Sequence, residues 1–106
     1  MPLPIFAVPV ALHLIAAATS GVPNLDVLPS CRAAAATEIE ATDRMQACVA
    51  SEQDARGQLV KKWTTFAAAD RFHCVQQMID FDPSYTELLT CLDMANEAEK
   101  LPVELY

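Results

Sequence analysis

The sequence has few of the residues on which turn-rich folds and most catalytic centres depend. Its 106 residues include only two glycines and two histidines. So few glycines argue against a fold that is rich in strands and tight turns. His13 lies in an apolar N-terminal segment, which leaves His73 as the only histidine of the remaining chain. That is too few for a histidine-based zinc site, and it leaves general acid–base catalysis little beyond carboxylates.

Motifs of catalysis and cofactor binding are also missing. The sequence contains no glycine-rich phosphate loop and no Cys-x-x-Cys pair. Residues 80–84 open like a calcium-binding EF-hand loop, but Tyr85 stands where that loop needs glycine and Cys91 where it needs glutamate. We therefore predict no catalytic residue, no cofactor and no metal ligand.

Basic residues are scarce as well. Seven Lys and Arg stand against fourteen Asp and Glu, which gives a formal net charge of −7, and Lys61 and Lys62 form the only adjacent basic pair. Nucleic acids and anionic membranes attract clustered positive charge, so we expect neither as a partner. The acidity of such a chain more often serves solubility, but it also suits a basic protein partner.

The N-terminal segment, residues 1–20, carries no charged side chain. An apolar run over residues 5–15 leads to three alanines that end at Ala18. This pattern is typical of a signal peptide that is cleaved near Ala18, although the usual basic residue before the apolar run is missing. An uncleaved membrane anchor is the alternative, which three prolines disfavour. We predict a periplasmic or secreted protein that has no membrane contact after cleavage.

The remaining chain is predicted to be all-α, a small bundle of three to four helices. Residues 21–30 read as an extended linker, residues 31–100 as the helical domain and residues 101–106 as a tail. Ser30 is expected to cap a helix that begins at Cys31. From there either one helix runs to Phe66, or the helix breaks between Thr37 and Asp43. We favour the break, because the unbroken helix would be about 55 Å long.

Two further helix starts are predicted from capping residues. Asp70 is expected to cap a helix that carries Phe72 and Cys74, and Asp82 to cap one that has Pro83 in its first turn. Ser84 and Glu87 also fit a capping box. Residues at helical spacing are expected to anchor the core, and they are Leu59, Trp63, Phe66, Leu88 and Leu92.

Glu52 is the one charge that interrupts this apolar pattern. It marks a solvated edge, a buried pair with an arginine or a contact with a partner, and the sequence leaves the three readings open.

Four cysteines fall into two pairs of equal spacing, with sixteen residues between the first two and between the last two. They are Cys31, Cys48, Cys74 and Cys91. In an exported chain an even number of cysteines predicts disulfides. A nested pairing needs residues 74–91 as one straight helix, which Pro83 interrupts. A sequential pairing, Cys31 with Cys48 and Cys74 with Cys91, uses that break as the turn of a helical hairpin. We therefore expect two helical hairpins, each stapled by one disulfide.

The first hairpin carries a family resemblance. The stretch Cys31-Arg-Ala-Ala-Ala-Ala-Thr, then Cys48, then Asp54-Ala-Arg-Gly-Gln-Leu-Val-Lys-Lys-Trp63 resembles the LprI-type lysozyme-inhibitor family of small exported proteins. The cysteine gap is longer than in that family, and Val60 stands where asparagine is typical. The later residues 83–92 look like small exported cysteine-containing helical proteins of alphaproteobacteria that carry no assigned activity. The resemblance implies a helical periplasmic binding protein and supplies no catalytic residue.

These features together predict a non-enzymatic exported protein that acts by binding a protein partner. A basic partner such as a lysozyme is one version. The alternative is a structural or accessory subunit of an envelope complex, docked through a face formed by Tyr85, Leu88 and Leu92 or through the extended N- and C-terminal segments. An enzyme is the third and least favoured reading.

Overall fold

The computed structural model describes residues 21–36, 40–80 and 82–102, and these residues form helices and connections without a β-strand. The predicted signal peptide and residues 103–106 of the predicted tail lie outside the described residues. The helices are α1 (Leu28–Ala35), α2 (Ala41–Lys62), α3 (Ala68–Ile79) and α4 (Tyr85–Glu99). A 3-10 turn, Trp63–Thr65, follows α2. The all-α prediction is confirmed.

The helices form two hairpins, each closed by a disulfide. Cys31 bonds to Cys48 with a Cα–Cα distance of 5.5 Å, and Cys74 bonds to Cys91 with a Cα–Cα distance of 5.8 Å. The sequential pairing is therefore confirmed. The predicted break is present too, because α1 ends at Ala35 and α2 begins only at Ala41.

Helix α4 joins the two hairpins. It packs on both α2 and α3. Contacts of Glu52 with Tyr85 and of Lys62 with Asp93 show that α2 and α4 run parallel. The Cys74–Cys91 bridge fastens α3 alongside α4 in the opposite direction. Any residue near the start of α4 is therefore close to both hairpins.

The core lies where α2, α3 and α4 meet. All five predicted anchors are in it: Leu59, Leu88 and Leu92 have no exposed surface, and Trp63 and Phe66 are 6% and 4% exposed. Burying each such side chain contributes roughly 1.5–3 kcal/mol.

The docking surface that we predicted from the sequence is wrong. Tyr85, Leu88 and Leu92 are buried in the core, so they offer no face to a partner. Phe72 lies instead on the outer side of α3 with 69% of its surface exposed, and Ile79 on the same helix is 59% exposed.

Two helix starts also differ from the prediction. Helix α1 begins at Leu28 rather than at Cys31, because Pro29 is tolerated in a first turn whose N–H groups have no helical partner. The Ser30 hydroxyl is then inside the helix, and it donates to the Pro83 carbonyl at 2.6 Å instead of capping α1. Helix α3 begins after Ala67, which places Asp70 in the first turn without a capping bond.

The start of α4 follows the predicted capping box in part. Ser84 is the N-cap, and its hydroxyl oxygen accepts from the Glu87 backbone N–H at 3.2 Å. Asp82, the other predicted cap, lies before it and is exposed. Ser84 caps the helix because it directly precedes the first helical residue, where a hydroxyl reaches the N–H three residues on.

Residues 21–27 form an extended segment, here called the strap, which lies over the core. Val22 is buried, and Leu25 and Val27 pack against the core with part of their surface exposed. The strap corresponds to most of the predicted linker, but it belongs to the folded body.

Candidate functional site

A buried carboxylate marks the centre of the site. Glu52 is 5% exposed and projects from α2 towards the start of α4. One carboxylate oxygen accepts from the Ser84 hydroxyl at 2.7 Å, and the other accepts from the Tyr85 backbone N–H at 2.6 Å. Glu52 therefore bonds the first hairpin to the second. It is neither on a solvated edge nor paired with an arginine, which removes two of the three readings of the sequence.

The position of Glu52 explains how a charge is tolerated there. It lies one helical turn after Cys48, on the face of α2 that also carries Ala55 and Leu59. The N-terminus of α4 supplies unpaired N–H groups and the positive end of the helix dipole. These groups stabilise the carboxylate in place of a cation, since no Lys, Arg or His of the described residues lies within ion-pair distance of it.

The start of α4 receives contacts from three parts of the chain. Pro83 accepts from Ser30 of α1, Ser84 and Tyr85 bond to Glu52 of α2, and the Tyr85 hydroxyl bonds to the strap. Because each contact comes from a different element, this junction fixes the geometry of the surface around it.

A cleft of about 1280 Å³ opens beside this junction. All four helices and the connection between α3 and α4 contribute to its walls. Its lining residues are Ser30, Ala34, Cys48, Ser51, Glu52, Cys74, Gln77, Met78, Asp80, Asp82, Ser84, Thr86, Glu87 and Cys91. Both disulfides therefore border the cleft, and its shape depends on the relative placement of the two hairpins.

The cleft is acidic. Its ionisable lining groups, the cysteines of the disulfides aside, are Glu52, Asp80, Asp82 and Glu87, and the described lining includes no Lys, Arg or His. Glu52 lies buried in the wall, while the other three carboxylates are exposed. The cleft can therefore attract a cationic group and offers no charge partner to an anion.

The other residues considered from the sequence do not gather at this cleft as a reactive centre. His73 is exposed on α3 and is not part of the lining. Among the residues that the structure describes, no three His, Cys, Asp or Glu side chains converge as metal ligands. All four cysteines are in disulfides, so none is a free thiol.

A second acidic contact lies at the other end of the bundle. The carboxyl groups of Asp70 and Glu99 are neighbours: a hydrogen bond that protonated Glu99 can donate to Asp70, and the repulsion between the two groups when both are charged, raise the pKa of Glu99. The contact brings together two like charges, one near the start of α3 and one at the end of α4.

Two features in the described chain bear on where the protein works. Two disulfides are typical of proteins outside the reducing cytoplasm. None of the helices in the described ranges has both the length and the apolar character needed to cross a bilayer.

Comparison of the chain with protein-family models, with curated proteins and with solved structures finds no match. The LprI-type resemblance of the first hairpin therefore stays a prediction. What the site does has to be inferred from its geometry and charge.

Proposed function

We propose that the protein is a non-enzymatic periplasmic or secreted protein that binds a basic protein partner through the acidic cleft. The observation that supports this proposal is the lining of the cleft, in which every charged side chain is a carboxylate. The partner supplies the positive charge that the cleft lacks, as electrostatic complementarity between two interfaces requires.

The shape and chemistry of the cleft suit a lysine or arginine side chain of the partner. The Met78 side chain and the disulfide sulfurs border it with weakly polar surface, along which the methylene groups of such a side chain can lie. Asp80, Asp82 and Glu87 then contact the charged end. The described residues hold no three-ligand cluster, which makes a protein cation a better occupant than a divalent metal.

A lysozyme is the basic partner that the family resemblance suggests, and binding to it is the direct test. We expect the oxidised protein to bind a lysozyme in calorimetric titrations and to lower its lytic rate, with affinity that falls as salt is added. A variant with Asp80→Asn, Asp82→Asn and Glu87→Gln should bind at least tenfold more weakly, because three exposed carboxylates of the cleft are neutralised while the buried Glu52 is kept.

The matched control removes the same charge elsewhere. Asp43→Asn, Asp54→Asn and Glu97→Gln neutralise three exposed carboxylates that do not line the cleft. We expect near-normal affinity from this control. Equal weakening of both triple variants would show that net charge, not the cleft, is recognised, and absence of binding at low salt would reject a lysozyme as partner.

The outer side of α3 favours a second function, that of an accessory subunit in an envelope complex. Phe72, Val75 and Ile79 follow one another at helical spacing, and Phe72 and Ile79 are mostly exposed. Replacing Phe72 and Ile79 by serine should release such a subunit from the complex without affecting the cleft. Migration of the native protein as a monomer in gently prepared envelope extracts would count against this function.

A further inference from the structure

The outer side of α3 presents two large apolar side chains to solvent. Phe72 is 69% exposed and Ile79 is 59% exposed, and they lie seven positions apart, which is two turns along the same side of the helix. The other exposed large apolar side chains of the described residues lie singly on other parts of the chain, and they are Leu28, Val60, Met94 and Leu101. Single exposed apolar residues are ordinary, whereas apolar residues aligned on one helix face indicate a contact surface.

A polar row runs beside this apolar row. His73 and Asp80 are both exposed, and they too lie seven positions apart, on the adjacent side of α3. Gln76 is exposed between the two rows and close to the middle of each. These five residues, Phe72, His73, Gln76, Ile79 and Asp80, are called the outer face below.

The outer face is complementary to itself. When two copies of α3 pack antiparallel about a two-fold axis beside Gln76, each row meets the same row of the other copy in reverse order. Phe72 then faces Ile79 of the second copy, and His73 faces Asp80 of the second copy. An imidazole N–H donates to a carboxylate, so the polar ends match as the apolar ends do. A parallel packing would instead place the two Asp80 carboxylates against each other.

We propose that the outer face is the interface of a two-fold dimer and that its occupant is a second copy of this chain. A helix of twelve residues buries less surface than a stable dimer does, so the dimer is weak and forms at concentrations on the order of 100 μM. The proposal does not rest on the function of the cleft. Asp80 borders both surfaces, but the other four residues of the outer face do not line the cleft.

Sedimentation of the purified oxidised protein is the first test. It is made at about 0.15 M salt, which screens the repulsion between two chains of net charge −7. The dimer fraction should rise with concentration, and Phe72→Ser with Ile79→Ser should weaken the dimer at least tenfold. Val60→Ser with Met94→Ser is the matched control, because it removes two similarly exposed apolar side chains from α2 and α4. This control should dimerise like the wild type.

An exchange of the two polar residues tests the pairing of the rows. His73→Asp places a carboxylate against Asp80 of the second copy, which should weaken the dimer at least fivefold. Adding Asp80→His to the same chain restores the pair with its ends exchanged, and it leaves the composition of the chain unchanged. The double variant should therefore dimerise within about twofold of the wild type. If it stays as weak as the single variant, the polar rows do not meet and the two-fold arrangement is wrong.

Cross-linking tests the direction of the two helices. Gln76→Cys places one thiol of each copy beside the two-fold axis, where a short bismaleimide should link them. Ala69→Cys is the control, because Ala69 is exposed seven positions earlier and its two copies then lie about 20 Å apart along the helices. Equal linking of both variants would indicate parallel packing and overturn the proposal.

The identity of the occupant is decided by the purified protein alone. A wild-type protein that stays monomeric up to about 1 mM would reject the second copy as the occupant. If Phe72→Ser with Ile79→Ser then still released the protein from an envelope complex, the outer face would be assigned to another protein.

Discussion

The two hairpins share one covalent plan and differ in what holds them. Each disulfide joins cysteines that are 17 positions apart, so the two bridges close loops of equal length. In the second hairpin Cys74, Met78, Leu88 and Leu92 are buried in the main core. In the first hairpin α1 has eight residues and buries only Cys31 and Ala35.

This difference shows that equal spacing of cysteines does not imply equal roles. Loop entropy predicts the same stabilisation from both bridges, about 3 kcal/mol each. The second bridge, however, lies between helices that the core already holds together. The first holds a helix that is too short to be stable alone, with the Ser30–Pro83 hydrogen bond as its other polar attachment. The first bridge therefore retains α1, whereas the second stabilises the core.

Removing the disulfide bridges one at a time should give the largest effect on stability. It also separates the role of the first bridge, which retains α1, from that of the second, which stabilises the core. We expect Cys74→Ala with Cys91→Ala to lower the free energy of unfolding by about 3–5 kcal/mol, seen equally by helicity and by Trp63 fluorescence. Cys31→Ala with Cys48→Ala should remove the helicity of α1 and leave the Trp63 transition almost unchanged, because α1 contributes little to the core around Trp63.

Urea unfolding followed by circular dichroism and by fluorescence makes this comparison. The two double variants could instead lose equal free energy of unfolding, with coincident transitions by circular dichroism and by fluorescence. That result would show that the hairpins are equivalent, contrary to the difference in burial. Full reduction with no change in either signal would contradict a stabilising role for both bridges.

The elements that local chemistry determines could be predicted from the sequence. Pro83 and Ser84 indicate where the second hairpin turns, and that turn is enough to choose the sequential disulfides. The spacing of Leu59, Leu88 and Leu92 indicates which faces are buried. Local reasoning misplaced helix starts, where Pro29 permits an earlier start than Ser30 suggests, and it offered the buried face of Tyr85, Leu88 and Leu92 for docking.

The contacts that build the site could not be predicted, because they join residues that are far apart in sequence. Glu52 bonds to Ser84 and Tyr85 across more than 30 positions. From the sequence it is only a charge in an apolar pattern, since nothing local indicates that a helix start lies opposite. The same holds for Gly21, whose need for glycine arises from Trp63.

Substitution of Glu52 tests whether the hairpins are joined at the start of α4. Its expected effect on the free energy of unfolding is intermediate among these predictions. Glu52→Ala leaves the Ser84 hydroxyl and the Tyr85 N–H without an acceptor in a buried site, which should cost about 3 kcal/mol. Glu52→Gln keeps one acceptor and should cost about half as much. If Glu52 couples the hairpins, the Glu52→Ala variant should also unfold in two separate steps when unfolding is followed by circular dichroism and by Trp63 fluorescence.

Glu87→Gln is the matched control for Glu52. Glu87 lines the same cleft, but its side chain is exposed, so its removal should change stability by no more than about 0.5 kcal/mol. Equal stability of the Glu52→Ala and Glu87→Gln variants would show that the buried carboxylate does not join the hairpins.

The smallest expected effect lies inside the second hairpin, where Asp70 of α3 meets Glu99 of α4. The hydrogen bond and the repulsion between the two carboxyl groups raise the pKa of Glu99 above its ordinary value of 4.5. The folded protein then binds a proton more readily than the unfolded chain. Stability should therefore rise as the pH falls through the raised pKa towards 4.5, level off below it, and be lost again as the pH rises.

Glu99→Gln should remove this component of the pH dependence, whereas Glu97→Gln, which changes an exposed carboxylate paired with Lys100, should keep it. The comparison is made by thermal melting from pH 7 to pH 4 at low salt, because salt screens an exposed pair. Parallel pH profiles for the wild type and the Glu99→Gln variant would show that the two acids do not interact. The second hairpin would then be held by its core and its bridge without an opposing charge contact, and its contrast with the first would be larger than we infer.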